Sequence, residues 1–468
     1  MDAKRVASAI IPIIVFLILY AIPAPSGVDF KAWLLFAIFV AVIAGLILRP
    51  LPMSAVVLIG VVASALSGAL TIGDALAGFA DTTVWLIVSA YLFARAFLKT
   101  RLGERIAWMF IKAIGKRTLT LGYALSLTDL VIAPGTPSNT ARAGGILFPI
   151  IRSIAKAYDS EPGPTAKRIG NFLMFNEYQT TLVTGAMFMT GMAANPLVVS
   201  LAKQVLKVEI SWAMWFLGAI VPGFVAFFLV PLIVYFLTRP EIKESPEAPK
   251  LAEKSLKEMG PLKREEKVLI FVFILALALW ILSETVKINA TTTALLGVAL
   301  MLVTGVLSWQ DVLGERGAWD ALVWFGGLVG MAAGLNKLGF MKWMAESTAK
   351  YVSGWAWLTA FIVLTLVYFY AHYFMASMTA HVTAFFPPFA AVMATAGAPP
   401  LLVGLMLGYM SNLNAAMTHY GTGPAPIYFG AGYVDIKEWW AYGLLISIIH
   451  IAVWFVLGFP YWKFLGLY

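Results

Sequence analysis

The feature that most constrains this chain is the recurrence of apolar runs of membrane-crossing length from residue 8 to residue 466. Crossing the hydrocarbon core takes about 20 apolar residues in a helix. Such runs fall near 8–22, 32–48, 52–70, 82–98, 170–194, 212–237, 267–284, 289–307, 320–335, 401–418 and 440–460. Charged residues make up only 12% of the 468, about half the share usual in soluble domains. The chain therefore reads as an all-α polytopic membrane protein, and a soluble enzyme is excluded. With no cysteine it can form no disulfide, thiolate nucleophile or cysteine metal site. The formal charge of +9 could suggest nucleic acid, but the cations sit in short loops between apolar spans, where they set topology. Nucleic acid is not an expected partner.

Two regions fit the pattern of continuous spans poorly, 105–157 and 350–397. The first is interrupted by Pro134-Gly135-Thr136-Pro137-Ser138-Asn139-Thr140, the second by Ser377-Met378-Thr379 with Pro387-Pro388 following. Irregular backbone is not tolerated against lipid, so these breaks must be shielded by protein or line a cavity. They are read as re-entrant hairpins. Residues 239–267, with eight Lys or Arg against seven Asp or Glu, form the one hydrophilic linker. The expected organisation is a first span over 1–31, a repeat over 32–238, the cytoplasmic linker 239–267, and a second repeat over 268–468.

Six cations against one anion in 99–117, with Arg152, Lys156, Lys167 and Arg168 at the far end of the first hairpin, put both its ends on the cytoplasmic side. Counting back places the N-terminus inside. Lys337, Lys342 and Lys350 fall on the opposite side and oppose this orientation. The small residues Ala7-Ser8-Ala9 precede the first apolar run instead of following it, so that run is kept as a span. With no transit peptide ahead of it, a bacterial or archaeal inner (plasma) membrane is expected rather than a plastid envelope.

A shift of 239 residues lays Ser138-Asn139-Thr140-Ala141-Arg142 over Ser377-Met378-Thr379-Ala380-His381, and Pro149 over Pro388. The same shift superposes Val84-Trp85 on Val323-Trp324; a slightly smaller one brings Asn176 onto Asn412, and Thr190-Gly191 near Gly421-Thr422. Five crossings separate the starts of the two units, so the second is inverted. Inverted repeats with interrupted helices in matching positions mark secondary transporters, whose substrate site lies at the midplane.

Each break offers hydroxyls and the free N–H groups of a new helix, a combination that binds anions. Two such tips would hold the two carboxylates of a small dianion; the plainer alternative is that these small residues only permit close helix packing. Arg142 and His381 occupy matching repeat positions, where a cation at membrane depth marks function by default. Arg142 could instead pair structurally with Asp129 or a backbone carbonyl, and His381 could be a neutral core histidine. His419 lies where a span unwinds at Gly421-Thr422-Gly423-Pro424. Glu177 reads more readily as a capped carboxylate than as a proton carrier, and His372 and His450 have no supporting context. Nucleotide-loop, metalloprotease and serine-elbow motifs are missing, so an enzyme is not expected and transport must run on gradients or exchange.

The run Pro137-Ser138-Asn139-Thr140-Ala141-Arg142-Ala143-Gly144-Gly145 with Phe148-Pro149 resembles the first signature of the divalent anion–sodium symporter family. Ser377-Met378-Thr379-Ala380-His381 resembles the second, and Thr418-His419-Tyr420 through Tyr433 is similar to the 2-oxoglutarate/malate translocator and citrate/tartrate exchanger branch. The resemblance implies a homodimer of about eleven spans plus two re-entrant hairpins, moving di- or tricarboxylates by an elevator motion. It implies substrate contacts from Ser138, Asn139, Thr140, Ser377 and Thr379, with Met378 standing where the family usually has asparagine. Thr190, Gly191, Gly421 and Thr422 correspond to the remaining site walls. Arg142, His381 and His419 are the expected charge-compensating residues. No cofactor is expected, and sodium enters only if the protein is a symporter. Sodium-independent exchange is the favoured expectation; sodium symport, a membrane-embedded hydrolase using His381 or His419, and an anion channel are the rivals.

Overall fold

A computed structural model describes residues 3–352 and 354–468. Met1, Asp2 and Ser353 lie outside the described residues, and with them the extreme N-terminus and one position of the expected 350–397 region. Among the described residues the regular structure is helical throughout, with one isolated bridge between Arg117 and Glu244.

Among the described residues six helices are long and apolar enough to cross a membrane: Phe30–Leu48, Thr82–Thr100, Trp212–Thr238, Arg316–Lys337, Trp357–Phe374 and Ile436–Phe464. Ser8–Ala21, Met53–Leu66 and Ala290–Val303 are shorter apolar helices. Of the eleven expected crossings, five coincide with the long helices and three with the short ones. The other three are Arg264–Ile281, Gly170–Met187 and Pro400–Leu413. The last two are cut short by breaks at Met189–Gly191 and Asn414–Ala416, and their side chains are almost wholly enclosed by protein. Enclosure is what lets Gly170–Met187 carry Asn171, Asn176, Glu177, Gln179 and three threonines between its apolar residues.

The helix boundaries follow local chemistry. Phe30–Leu48 opens on Asp29, whose carboxylate accepts from the Lys31 N–H, and closes on Arg49 in the left-handed conformation just before Pro50. Trp212–Thr238 opens on Ser211, whose hydroxyl accepts from the Met214 N–H at 3.0 Å.

Both hairpins are shorter than the regions that announced them. Leu102–Ile114 is a separate amphipathic helix packed against the linker helix Glu247–Met259, so the arms of the first hairpin are Thr118–Ile132 and Thr140–Ala157. The linker is clamped to the base of that hairpin. The Thr118 N–H donates to the Lys243 carbonyl at 2.9 Å, and the Ser245 N–H to the Lys116 carbonyl at 2.7 Å. Arg105, buried, grips Glu266 with Nε–Oε1 at 2.6 Å and caps Gly260 through Nη1 at 2.9 Å. The second hairpin has arms Trp357–Ala371 and Met378–Thr395, and its first arm is itself as long as a span.

Close backbone approach holds the two sides of the fold together. A Cβ built on Gly78, in the short turn Ala77–Ala80, would lie 2.0 Å from the Gly326 carbonyl oxygen and 2.4 Å from the Gly330 nitrogen. Both obstacles are backbone, so neither can swing away. Gly78→Ala is expected to destabilise the protein by about 1–3 kcal/mol or more, checked by the fall in melting temperature of purified protein.

Candidate functional site

The two breaks are built alike. In the first, Pro134 and Pro137 end the incoming arm; the Ser138 carbonyl then accepts from the Arg142 N–H at 2.9 Å and its hydroxyl from the Ala141 N–H at 3.1 Å. In the second, the Ser377 carbonyl accepts from the His381 N–H at 3.0 Å and its hydroxyl from the Ala380 N–H at 3.3 Å. Each serine thus starts a helix whose first N–H groups point back out of its N-terminal end, as expected of an N-cap.

Both tips open on one cavity of about 430 Å³. Ser138, Asn139 and Thr140 line it from the first hairpin, and Ser377, Met378 and Thr379 from the second. Thr422 lines it as well, and its Oγ1 accepts from Asn139 Nδ2 at 3.0 Å. A smaller cavity of about 360 Å³ between Phe97 and Ser153 touches neither tip.

Thr190, Gly191 and Gly421, expected in the lining, lie outside it and brace the tips from behind. The Thr190 hydroxyl donates to the Pro134 carbonyl at 2.6 Å and accepts from Trp212 Nε1 at 3.1 Å. Beside Thr190 and Gly191 the wall is made by Met192, Ala193 and Ala194, one to four residues further on, and beside Gly421 by Tyr420, Thr422 and Gly423. The second unwound stretch is held by the helix Gly170–Met187. Tyr178 Oη donates to the Ala415 carbonyl at 2.6 Å, and Gln179 Nε2 to that of Ala416 at 2.9 Å.

The three expected cations do not line this cavity either. Arg142 is fully buried behind the first tip, with Nε 2.6 Å from Asp129 Oδ1. Nη1 donates to the carbonyls of Thr136 (2.8 Å) and Gly191 (2.9 Å). Nη2 faces the Thr181 carbonyl at 3.4 Å and the Thr181 and Thr184 hydroxyls at 3.1 and 3.4 Å. Thr184 in turn donates to Asp129 Oδ2. A charge at this depth must be paired, and Asp129 on the incoming arm supplies the partner; the guanidinium does not face the cavity.

His381 is also fully buried, its ring packed edge-on against Tyr368 at 4.4 Å and His372 at 5.0 Å, with no hydrogen-bond partner among the described residues. It is the core histidine that the sequence left open. The tie equivalent to Arg142–Gly191 is made in the second hairpin by His372, whose Nε2 donates to the Gly421 carbonyl at 2.9 Å. His419 lies off the cavity; its Nδ1 accepts from Trp440 Nε1 at 3.1 Å and its ring stands 4.5 Å from Phe429. Glu177 is not capped. It is fully buried, and neither carboxyl oxygen has a partner among the described residues.

Arg49 and Tyr91 line the cavity without having been singled out in the sequence. Arg49 Nη2 donates to the carbonyl of Ala376, the residue before the second tip, at 3.0 Å. The signal was a cation followed by two helix breakers, Arg49-Pro50-Leu51-Pro52, between two apolar runs. No cluster of His, Asp or Glu able to hold a metal ion is found among the described residues. The cavity therefore offers neutral hydroxyls and an amide, two helix starts and one guanidinium, a set suited to an anion with two charged ends.

Residues 3–468 match the family model described as the sodium:sulfate symporter transmembrane region. The chain is 50% identical over 468 residues to YflS of Bacillus subtilis, named as a candidate malate transporter, covering 100% of this chain and 98% of that one. It is 44% identical over 455 residues to the chloroplast dicarboxylate transporter 1 of Arabidopsis thaliana, covering 97% and 82%. Inner membrane protein YbhI of Escherichia coli is 39% identical over 472 residues, 99% of each chain. Among solved structures, the YdaH transporter of Alcanivorax borkumensis aligns over 98% of both chains with a TM-score of 0.57 at 14% identity. MtrF of Neisseria gonorrhoeae, from a class of antimetabolite efflux pumps, aligns over 97% of this chain and 94% of its own with a TM-score of 0.55 at 14% identity. These two likenesses concern the fold alone.

Proposed function

Since the chain belongs to the family of the sodium:sulfate symporter transmembrane region, a membrane-spanning transporter and not an enzyme, we propose that it exchanges di- or tricarboxylates one for one, without sodium. Candidate cargoes are malate, 2-oxoglutarate, succinate, fumarate, tartrate and citrate. The relatives named for malate and dicarboxylate transport support the substrate class.

One observation carries the coupling reading. Behind the first tip, Asp129, the carbonyls of Thr136, Thr181 and Gly191 and the hydroxyls of Thr181 and Thr184 surround the guanidinium of Arg142, which divides its three nitrogens among them. Oxygens gathered in this way suit a hard cation. With a permanent side-chain cation in that place, a coupling sodium has no seat there. Because the pair Arg142–Asp129 is neutral overall, it does not itself neutralise the substrate. The dianion instead meets the two helix starts and Arg49. An unoccupied site leaves those groups without their counter-charge, which favours return with a second dianion over return empty.

The wider reading includes an inverted repeat, supported by the matching serine caps at Ser138 and Ser377 and the matching ties Arg142–Gly191 and His372–Gly421. It also includes an elevator motion of a homodimer, supported by the family resemblance. The name of the relative YbhI favours a bacterial inner membrane.

A sodium-coupled symporter is the second reading, favoured by the family's own description. Counterflow separates the two. Vesicles loaded with malate are expected to take up labelled 2-oxoglutarate in sodium-free buffer, whereas uptake into empty vesicles that requires sodium would establish symport.

A further inference from the structure

We infer that Arg49 is a substrate-binding residue, the guanidinium that receives the carboxylate lodged at the second tip; this rests on the carboxylate-transport reading above. Arg49 ends the helix Phe30–Leu48 at φ 50°, a left-handed turn that a side-chain-bearing residue adopts at a cost. That turn, fixed by its N–H bonding the Gly45 carbonyl at 2.8 Å and followed by Pro50, throws the side chain across to the other half of the molecule. There it lines the cavity and donates one hydrogen bond to Ala376.

Two contrasts point to a ligand. Arg101 ends the helix Thr82–Thr100 in the same left-handed conformation but spends its charge on Glu104, with both bonds at 2.7 Å. Arg49 belongs to no ion pair among the described residues. A guanidinium has five N–H donors in a planar fork that matches a carboxylate, and a single carbonyl bond leaves most of that fork free.

The second contrast is between the tips. The first carries the amide of Asn139, the second the apolar side chain of Met378 at the matching place. The second tip is one polar donor short, and Arg49 reaches the carbonyl immediately before it. A carboxylate at the Ser377 cap lies between that helix start and the guanidinium, and takes a charge-assisted bond in place of the missing amide. The two carboxylates of a dianion are thus held unequally, by neutral donors at one tip and by a cation at the other.

The test compares malate with its monomethyl esters as competitors of labelled malate exchange in sodium-free proteoliposomes. In the wild type, malate is expected to compete far better than the esters. In Arg49→Gln the apparent affinity for malate falls about 10–100-fold while that for the esters falls much less, so the preference collapses. Arg49→Lys, which keeps the charge but loses the fork, should recover part of the preference. Equal weakening of malate and esters, or an unchanged preference, overturns the inference. If Arg49→Gln does not fold, Arg49→Lys decides alone: a loss confined to malate supports the inference and an equal loss contradicts it. Absence of any exchange by the wild type would instead strike the transport reading itself.

Discussion

Arg142→Ala is expected to cost the protein about 3–5 kcal/mol, because it leaves the fully buried Asp129 charged and without its partner. The loss extends beyond the ion pair. The carbonyls of Thr136 and Gly191 lose their donor as well, and these are the backbone groups that hold the first break against the unwound stretch at Met189–Gly191. The melting temperature of the purified variant should drop sharply, and exchange should vanish with the fold. Arg142→Met combined with Asp129→Leu removes both charges and should recover most of the stability, since replacing a buried pair by apolar groups is often neutral or favourable. It should not recover exchange, because the break loses its ties. A single variant that melts like the wild type would show that Asp129 finds another partner, and the cage of oxygens would lose its meaning.

Gly423→Ala is expected to disable the cavity from the opposite wall. A Cβ at Gly423 would lie 2.0 Å from Thr140 Oγ1 and 3.3 Å from Thr140 Cβ. Thr140 must move, and it lines the cavity at the first tip. Overpacking of this kind costs about 1–3 kcal/mol, and with the Thr140 hydroxyl displaced from its proposed substrate contact, apparent affinity for malate should fall about tenfold or more. Gly430→Ala is the control, because nothing stands within 4 Å of its added Cβ. Adding Thr140→Ala to Gly423→Ala should restore melting temperature by making room, but not affinity. Wild-type affinity in Gly423→Ala alone would mean that the first tip does not touch the substrate.

Much of this architecture is legible in the sequence because the bilayer leaves so few choices. Apolar runs had to be helices, and the proline- and serine-rich breaks at Pro134–Thr140 and Ser377–Thr379 had to be sheltered. Both do face one cavity. The matching Ser-x-Thr-Ala runs also carried real geometry, since the two serines cap their helices in the same way.

What the sequence could not supply was direction. Whether Arg142 turns toward the cavity or back toward Asp129 depends on the path of the incoming arm, and no spacing reveals it. The shift of 239 residues also pairs Arg142 with His381, although the contact to the second unwound stretch comes from His372, nine residues earlier. The sequence match marked the two tips but not the His372 tie behind the second. Arg49 was missed for a related reason. Cations between spans serve mostly as topology signals, and only the left-handed turn at the end of Phe30–Leu48 reveals that this one reaches the second tip.

The most direct test of the account is uptake of labelled 2-oxoglutarate by proteoliposomes in sodium-free buffer, with and without internal malate. Rapid uptake into malate-loaded vesicles, little into empty ones, and no stimulation by added sodium are expected. Uptake into empty vesicles that depends on sodium would contradict that expectation, and would mean that a coupling ion binds somewhere other than the oxygens occupied by Arg142.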